Sequence, residues 1–200
     1  SGNHLFSKAL GQNKNIFAWP SLQEKYWEGH DLEPFAECWK NPKKLNKFDW
    51  KQSFHFVTSI SCPYFDDGVE TIPSYEKFTK EASKYVEVQF VIIGRDSNII
   101  KLQQQRVRGK HTTSFFTKQI NNIISNYKTI FASQELLYLY KIYYLNWLEK
   151  QIGLLPVETT IDDSELLKIL STDANTKYIS QAESELDETI KLASSRKGAI

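Results

Sequence analysis

The stretch that decides the fold is "VEVQFVIIGRDSNIIKLQQQRVRGKH", residues 86–111. Its first part, 86–94, is rich in β-branched and aromatic residues and has apolar side chains on both alternating faces, which predicts a strand. The next five residues, "GRDSN" at 94–98, have the composition of a hairpin turn. Residues 99–108 are therefore predicted to return as a second, antiparallel strand.

The predicted return strand is polar and basic. Residues 101–110 contain three glutamines, two arginines and two lysines, with no acid among them. Neither alternating face stays apolar beyond Leu102, which is typical of a strand at the edge or wet end of a sheet. We therefore expect this strand to face solvent or a partner rather than the core.

Helical periodicity dominates on both sides of this stretch. Capping residues, glycine stops and prolines mark the ends of most of these elements. In chain order the patterns predict short helices at 21–29 and 32–39, a loop at 40–51, a strand at 53–62, a turn at 65–68, and helices at 74–85, 112–131, 134–152, 164–171 and 176–194.

The order of helices, then strands, then helices predicts an α+β fold. We expect a small antiparallel β-sheet flanked by helices, with a helical C-terminal extension. The predicted organisation is a loosely ordered segment at 1–15, an α+β domain at 16–155, and an acidic helical extension at 156–200 packed on it. Residues 158–188 carry a net charge of −7 and the rest of the chain +8, a contrast typical of a polyanion binder or of a tail that folds back.

Motifs for catalysis and metal binding are missing from the sequence. The four histidines are isolated and none has the spacing of a metal site, so we predict no metal ligands, no cofactor and no catalytic residues. Two cysteines make neither a disulfide framework nor a zinc quartet, which indicates a reducing intracellular compartment, cytoplasm or nucleus. No apolar run reaches the roughly 20 residues that span a bilayer.

Aromatic side chains on helix 134–152 point to a protein partner. The helix has apolar residues on more than one face, whereas packing on one domain requires a single stripe. Tyrosine and tryptophan are enriched at the centres of interfaces. The sequence thus favours a non-enzymatic interaction module, a subunit or adaptor of a larger assembly, with these contact residues: Tyr138, Tyr140, Tyr143, Tyr144 and Trp147.

Binding of nucleic acid is the alternative. In "WKNPKKLNKFDWK", residues 39–51, lysines would neutralise phosphates while rings stack on the bases of a single strand. The opposing interpretation is a solvated loop whose tryptophans anchor it inward. The predicted nucleic-acid-binding residues are Trp39, Lys40, Lys43, Lys44, Lys47 and Trp50 in this loop, and Lys101, Arg106, Arg108 and Lys110 on the basic strand.

A second alternative is a metal-dependent nuclease. Asp66 and Asp67 followed by Glu87 resemble the acids that hold Mg²⁺ for phosphodiester attack in such enzymes. Two departures count against this resemblance. Gln89 occupies the place where a lysine is expected, and a helix is predicted between the acids where a hairpin is expected.

Overall fold

The computed structural model describes residues 3–13, 15–18, 33–66, 68–154, 163–171 and 184. Helices and short strands are mixed along the chain, which confirms the α+β class. In order, the elements are α1 (Asn3–Leu10), β1 (Ile16–Phe17), α2 (Ala36–Lys40), a 3₁₀ helix (Pro42–Lys47), β2 (His55–Phe56), β3 (Tyr64–Asp66), β4 (Val69–Thr71), α3 (Tyr75–Ala82), β5 (Phe90–Gly94), α4 (Ser97–Arg108), α5 (Thr113–Asn126), β6 (Thr129–Ser133), α6 (Gln134–Ile152) and α7 (Asp163–Ser171).

The strands of the described residues form three two-stranded sheets. β3 and β4 make an antiparallel hairpin, whereas β1 pairs with β2 in parallel. β5 also pairs in parallel, with β6, in a register that runs from Phe90–Thr129 to Gly94–Ser133. A parallel pair requires a long crossover connection, and α4 and α5 supply it.

The predicted return strand at 99–108 is wrong, because these residues are helical. The Asp96 carboxylate accepts hydrogen bonds from the backbone nitrogens of Asn98 and Ile99, at 2.9 and 3.1 Å. This N-cap satisfies two amides that a helix start leaves without partners. Gly109 ends the helix in the left-handed region, with a φ of 67°. "GRDSN" is therefore the entrance to a helix and not a hairpin turn.

The helix predicted to run to Phe131 ends earlier, at Asn126. Tyr127 is extended and the next residues form β6. Ile130 and Phe131 coincide with the helical stripe, but they are β-branched and aromatic residues that pair with β5 instead. Pairing with a neighbouring strand has here overridden a local period, which a single sequence does not reveal.

Three helices match their predictions closely. α3 buries Tyr75, Phe78 and Ala82 as expected, and α6 and α7 begin and end at or next to the predicted residues. The strand predicted at 53–62 is reduced to His55–Phe56, and the helix predicted at 32–39 to α2.

The N-terminal segment differs from its prediction. Residues 1–15 were expected to be loosely ordered, yet α1 is a helix whose Phe6, Ala9 and Leu10 are buried in the core. The helices predicted at 21–29 and 176–194 lie outside the described residues. The boundary at 155/156 stays a prediction.

The β5–β6 sheet lies between two hydrophobic clusters. Along β5, Val91 and Ile93 pack against one cluster, while Phe90 and Ile92 belong to or pack against the other. Side chains alternate across a strand, so both faces of this sheet are covered. The first cluster joins α1, β1, α6 and α7, and the second joins α2, the 3₁₀ helix, α3 and α5. The strand predicted at 86–94 is thus shortened to β5, which is covered on both faces and pairs on one edge with β6.

Candidate interaction surfaces

Helix α6 begins and ends on clear local signals. The Ser133 hydroxyl accepts a hydrogen bond from the Leu136 backbone nitrogen at 3.2 Å, and Gly153 closes the helix with a φ of 78°. Inside it, Lys141 has a φ of 49° and a ψ of −122°. This conformation is strained for any residue with a Cβ. It kinks α6 into two segments, a feature that the sequence did not predict.

Each segment of α6 buries one side. Leu137 is buried before the kink, and Leu145 and Leu148 are buried after it. Aromatic and aliphatic side chains on the other side stay exposed. We call these residues the α6 aromatic set: Tyr138 (40% exposed), Leu139 (65%), Tyr140 (58%), Tyr143 (79%) and Trp147 (46%). Four of the five predicted contact residues therefore lie at the surface.

Tyr144 is the fifth predicted residue, and it is buried. Its hydroxyl accepts a hydrogen bond from the Ser133 backbone nitrogen at 2.8 Å. Its ring stacks on Trp147, with centroids 5.4 Å apart and planes 19° from parallel. Tyr144 therefore anchors the start of α6 and orients Trp147 from beneath, rather than offering its own ring to a partner.

A carboxyl group lies on the buried side of the same helix. Glu149 is 3% exposed. Burial raises the pKa of its side chain, and a hydrogen bond with Asn13 opposes this shift. Burial penalises the charged form, so the neutral acid is favoured here over a wider pH range than in water.

The tryptophans of the lysine-rich segment, residues 39–51, point inward. Trp39 stacks on Phe78 with centroids 3.8 Å apart and planes 10° from parallel. Its indole nitrogen donates to the Thr58 hydroxyl at 3.3 Å. Trp50 is flanked by the nearly parallel rings of Phe35 and Tyr85, at 5.7 and 5.4 Å. Both rings are occupied by packing, so neither is placed to stack on a base.

The lysines around these rings remain at the surface. Lys44 of the 3₁₀ helix pairs with Glu37 of α2. The others, also exposed, are Lys40, Lys43, Lys47 and Lys51. The segment is thus an aromatic anchor with a basic exterior, which matches the opposing interpretation of its sequence.

The second predicted basic strip is dispersed, because its residues lie on and just after a helix. Arg108 donates to the Pro63 carbonyl at 2.9 Å and lies 5.3 Å from the centre of the Phe65 ring. Lys110 pairs with Glu70 at 2.6 Å. Through these contacts the two cations connect the end of α4 with the β3–β4 hairpin. Lys101 and Arg106 are exposed on α4.

Among the acids of the predicted nuclease site, Asp67 lies outside the described residues. Glu87 lies before β5 and pairs with Lys128 at 3.0 Å. Over the part of the chain that the structure describes, no group of three or more His, Cys, Asp or Glu residues is arranged to hold a metal ion. A broad groove of about 810 Å³ between α3 and the end of α5 is lined by residues of both charges, among them Glu76, Lys80, Lys84, Glu87 and Lys128.

Comparison with protein-family models, with curated proteins and with solved structures finds no match to this chain. Among the helices of the described ranges, none is both long and apolar enough to cross a bilayer. The surfaces described above are therefore the features of this chain that bear on its function.

Sequence reasoning missed two features of these surfaces. The kink at Lys141 leaves no signal, because lysine is an ordinary helix residue. The second is the position of α3, whose lysines lie beside the lysine-rich segment because the two elements pack together. The stacked pair of Trp39 and Phe78 produces that packing, and such a contact between distant residues is invisible in composition.

Proposed function

We propose that this chain is a non-enzymatic interaction module that binds a protein partner through the α6 aromatic set. The observation that carries the proposal is the exposure of Tyr140, Tyr143 and Trp147 on a helix whose other side is already packed. Rings left in water on a well-anchored helix are available to a partner without any rearrangement of the core.

The chemistry of these side chains suits a protein surface. Tyrosine and tryptophan bury a large area and lose little conformational entropy, since they have only two side-chain torsions. They dominate the residues whose truncation weakens protein complexes most. The partner should therefore present an apolar recess, with hydrogen-bond acceptors at its rim for the tyrosine hydroxyls and the indole nitrogen.

The proposed setting is a larger intracellular assembly in which this chain is a subunit or adaptor. Cys38 and Cys62 are free thiols. Burial raises the pKa of each, so both stay protonated and unreactive near neutral pH. Free, unpaired thiols are typical of proteins kept in a reducing compartment.

The test combines two substitutions at exposed positions, Tyr140→Ala and Trp147→Ala. The full chain is immobilised and incubated with a lysate of the cells that produce it, and any retained protein is purified and titrated against wild type and variant. We expect the double variant to weaken binding at least 100-fold, because two central aromatic contacts cost about 2 kcal/mol or more each. The melting temperature should fall by only a few degrees.

The matched control is Asn146→Ala with Gln151→Ala, two exposed polar positions on the segment of α6 that follows the kink and carries Trp147. This variant should bind like wild type. Equal loss in both variants, or retention of the same proteins by the aromatic variant, would overturn the proposal. Unfolding of the aromatic variant would place these rings in the core. Sedimentation equilibrium tests whether the partner is a second copy, in which case wild type self-associates and the variant does not.

A further inference from the structure

A second surface of the molecule is basic, and it is built from two elements distant in sequence. The 3₁₀ helix packs beside α3 through Leu45, which is fully buried, and α2, just before it in the chain, packs there through the stack of Trp39 on Phe78. The Tyr85 hydroxyl at the end of α3 donates to the Asn46 side chain at 2.9 Å. The two elements therefore hold their outer side chains in a fixed relation.

Lysines prevail on the exterior of these elements. Residues 36–51 and 75–85 contain eight lysines and four acids, a net charge of +4. All eight lysines are exposed: Lys40, Lys43, Lys44, Lys47, Lys51, Lys77, Lys80 and Lys84. On α3, Lys77 and Lys80 are three residues apart, and Lys84 follows just beyond its end, a spacing that places side chains on one side of a helix.

Cations from both elements converge at Glu81. This carboxylate accepts a hydrogen bond from Lys84 of the α3 end, and it is also close to Lys43 and Asn46 of the 3₁₀ helix. The hydrogen bond from Lys84 is the main cause of a lowered Glu81 pKa. Lys43 and Lys84, which belong to separate segments, thus lie close together. We call these two and three further exposed lysines of the same two segments the η–α3 basic surface: Lys43, Lys47, Lys77, Lys80 and Lys84.

The kind of partner follows from what this surface lacks. Between 36 and 51 every aromatic ring is buried or half-buried, and Tyr85 is the only large apolar residue of the two elements that is exposed. A protein interface would require a central apolar anchor. Binding of a single nucleic-acid strand would require rings to stack on its bases. Contact with phosphates requires only positioned cations.

We propose that the η–α3 basic surface binds the phosphate backbone of a double-stranded nucleic acid without reading its sequence. Exposed lysines on two adjacent elements can each contact a phosphate, and each contact releases condensed counterions. This proposal uses different residues from the α6 aromatic set and does not depend on it. In this mode of binding the lysines contact phosphates, and Trp39 and Trp50 do not stack on bases. The lysines of α3 take part together with those of the lysine-rich segment.

The test is fluorescence anisotropy with labelled 20-base-pair DNA and RNA duplexes of two unrelated sequences each, titrated with the full chain at 50 and 200 mM salt. We expect similar affinity for the two sequences and a steep loss of affinity with salt. The triple variant Lys43→Gln, Lys47→Gln, Lys80→Gln should lower the salt slope by about 3, since each phosphate contact contributes about 0.9. The DNA and RNA arms show which duplex is preferred.

The matched control removes the same charge elsewhere, with Lys101→Gln, Lys118→Gln and Lys150→Gln on α4, α5 and α6. Its salt slope should stay close to that of wild type. Equal slopes for the two triple variants would overturn the proposal, as would an absence of binding at 50 mM salt. Tighter binding of a single strand than of the duplex, with quenching of tryptophan fluorescence, would also overturn it. Displacement of the duplex by polyglutamate at equal charge concentration would indicate an acidic protein instead.

Discussion

Two aromatic-rich regions of this chain, residues 35–50 and helix α6, have similar shares of aromatic residues and opposite arrangements. In the first, rings such as Trp39 and Trp50 point inward and the lysines point out. In the second, Tyr140, Tyr143 and Trp147 point outward from a helix that already has a packed face. The number of aromatic residues in a segment therefore does not show whether their rings are exposed, which the folded structure decides.

The difference has a local cause. Residues 35–50 form only two short helices, each with little apolar surface to bury, so a network of edge-to-face and stacked rings supplies their core. Helix α6 satisfies its own backbone and needs only one buried side. Its remaining rings stay exposed to solvent.

The largest expected effect on stability is at Trp39, one of the rings that point inward. Trp39→Ala removes a stacked, buried ring and a hydrogen bond, and leaves a cavity beside Phe78. We expect the free energy of unfolding to fall by about 3–5 kcal/mol. Urea denaturation followed by circular dichroism measures it. A loss below about 1 kcal/mol would mean that this ring is not part of the core.

A smaller effect of opposite sign is expected at the kink of α6. Glycine adopts the conformation of Lys141 without strain, so Lys141→Gly should stabilise the protein by about 1 kcal/mol. Lys150→Gly, in the regular part of the same helix, should destabilise it by about 0.5–1 kcal/mol. Thermal unfolding of both variants checks the pair. Destabilisation by both would show α6 to be an unbroken helix.

The buried side of α6 makes stability depend on pH. The pKa of Glu149 is raised in the folded protein above its ordinary value of 4.5. As pH rises through that value the unfolded chain releases this proton first, so stability falls over the window above pH 4.5. Glu149→Gln should be more stable than wild type at pH 7, and this advantage should vanish below about pH 4. Unfolding midpoints from pH 3 to 8 test it; a constant difference across that range would contradict burial of the charge.

A similarly small effect is expected on the outward side, at Trp147. Trp147→Ala removes a ring that is half in solvent and stacked on Tyr144, so no closed cavity results. We expect a loss of about 1 kcal/mol in the free energy of unfolding. The same urea experiment compares it directly with Trp39→Ala. Losses of equal size would remove the distinction between the two regions.

The α+β class follows from patterns in the sequence. The same patterns select the five aromatic residues of α6, four of which are exposed. Glycine stops and apolar stripes mark α3, α6 and α7 clearly. The sequence predicts a strand at 99–108 only because this polar, glutamine-rich segment follows another strand, whereas the segment is helical. Asp96 and Gly109, the residues that start and end α4, were visible in the sequence, but a hairpin turn explained the same letters equally well.

By itself, the sequence determined the helices that have strong apolar periods and clear caps, the absence of common catalytic motifs, and the richness in rings and lysines. Tertiary structure decided that β5 pairs in parallel with β6, that Trp39 and Trp50 turn inward, and that α3 joins the lysine-rich segment in one basic surface. The physical reason is the separation along the chain over which each interaction acts. Capping and periodicity act within a few residues, whereas strand pairing and ring stacking join residues about 40 apart, and their free energy depends on contacts that only the folded chain creates.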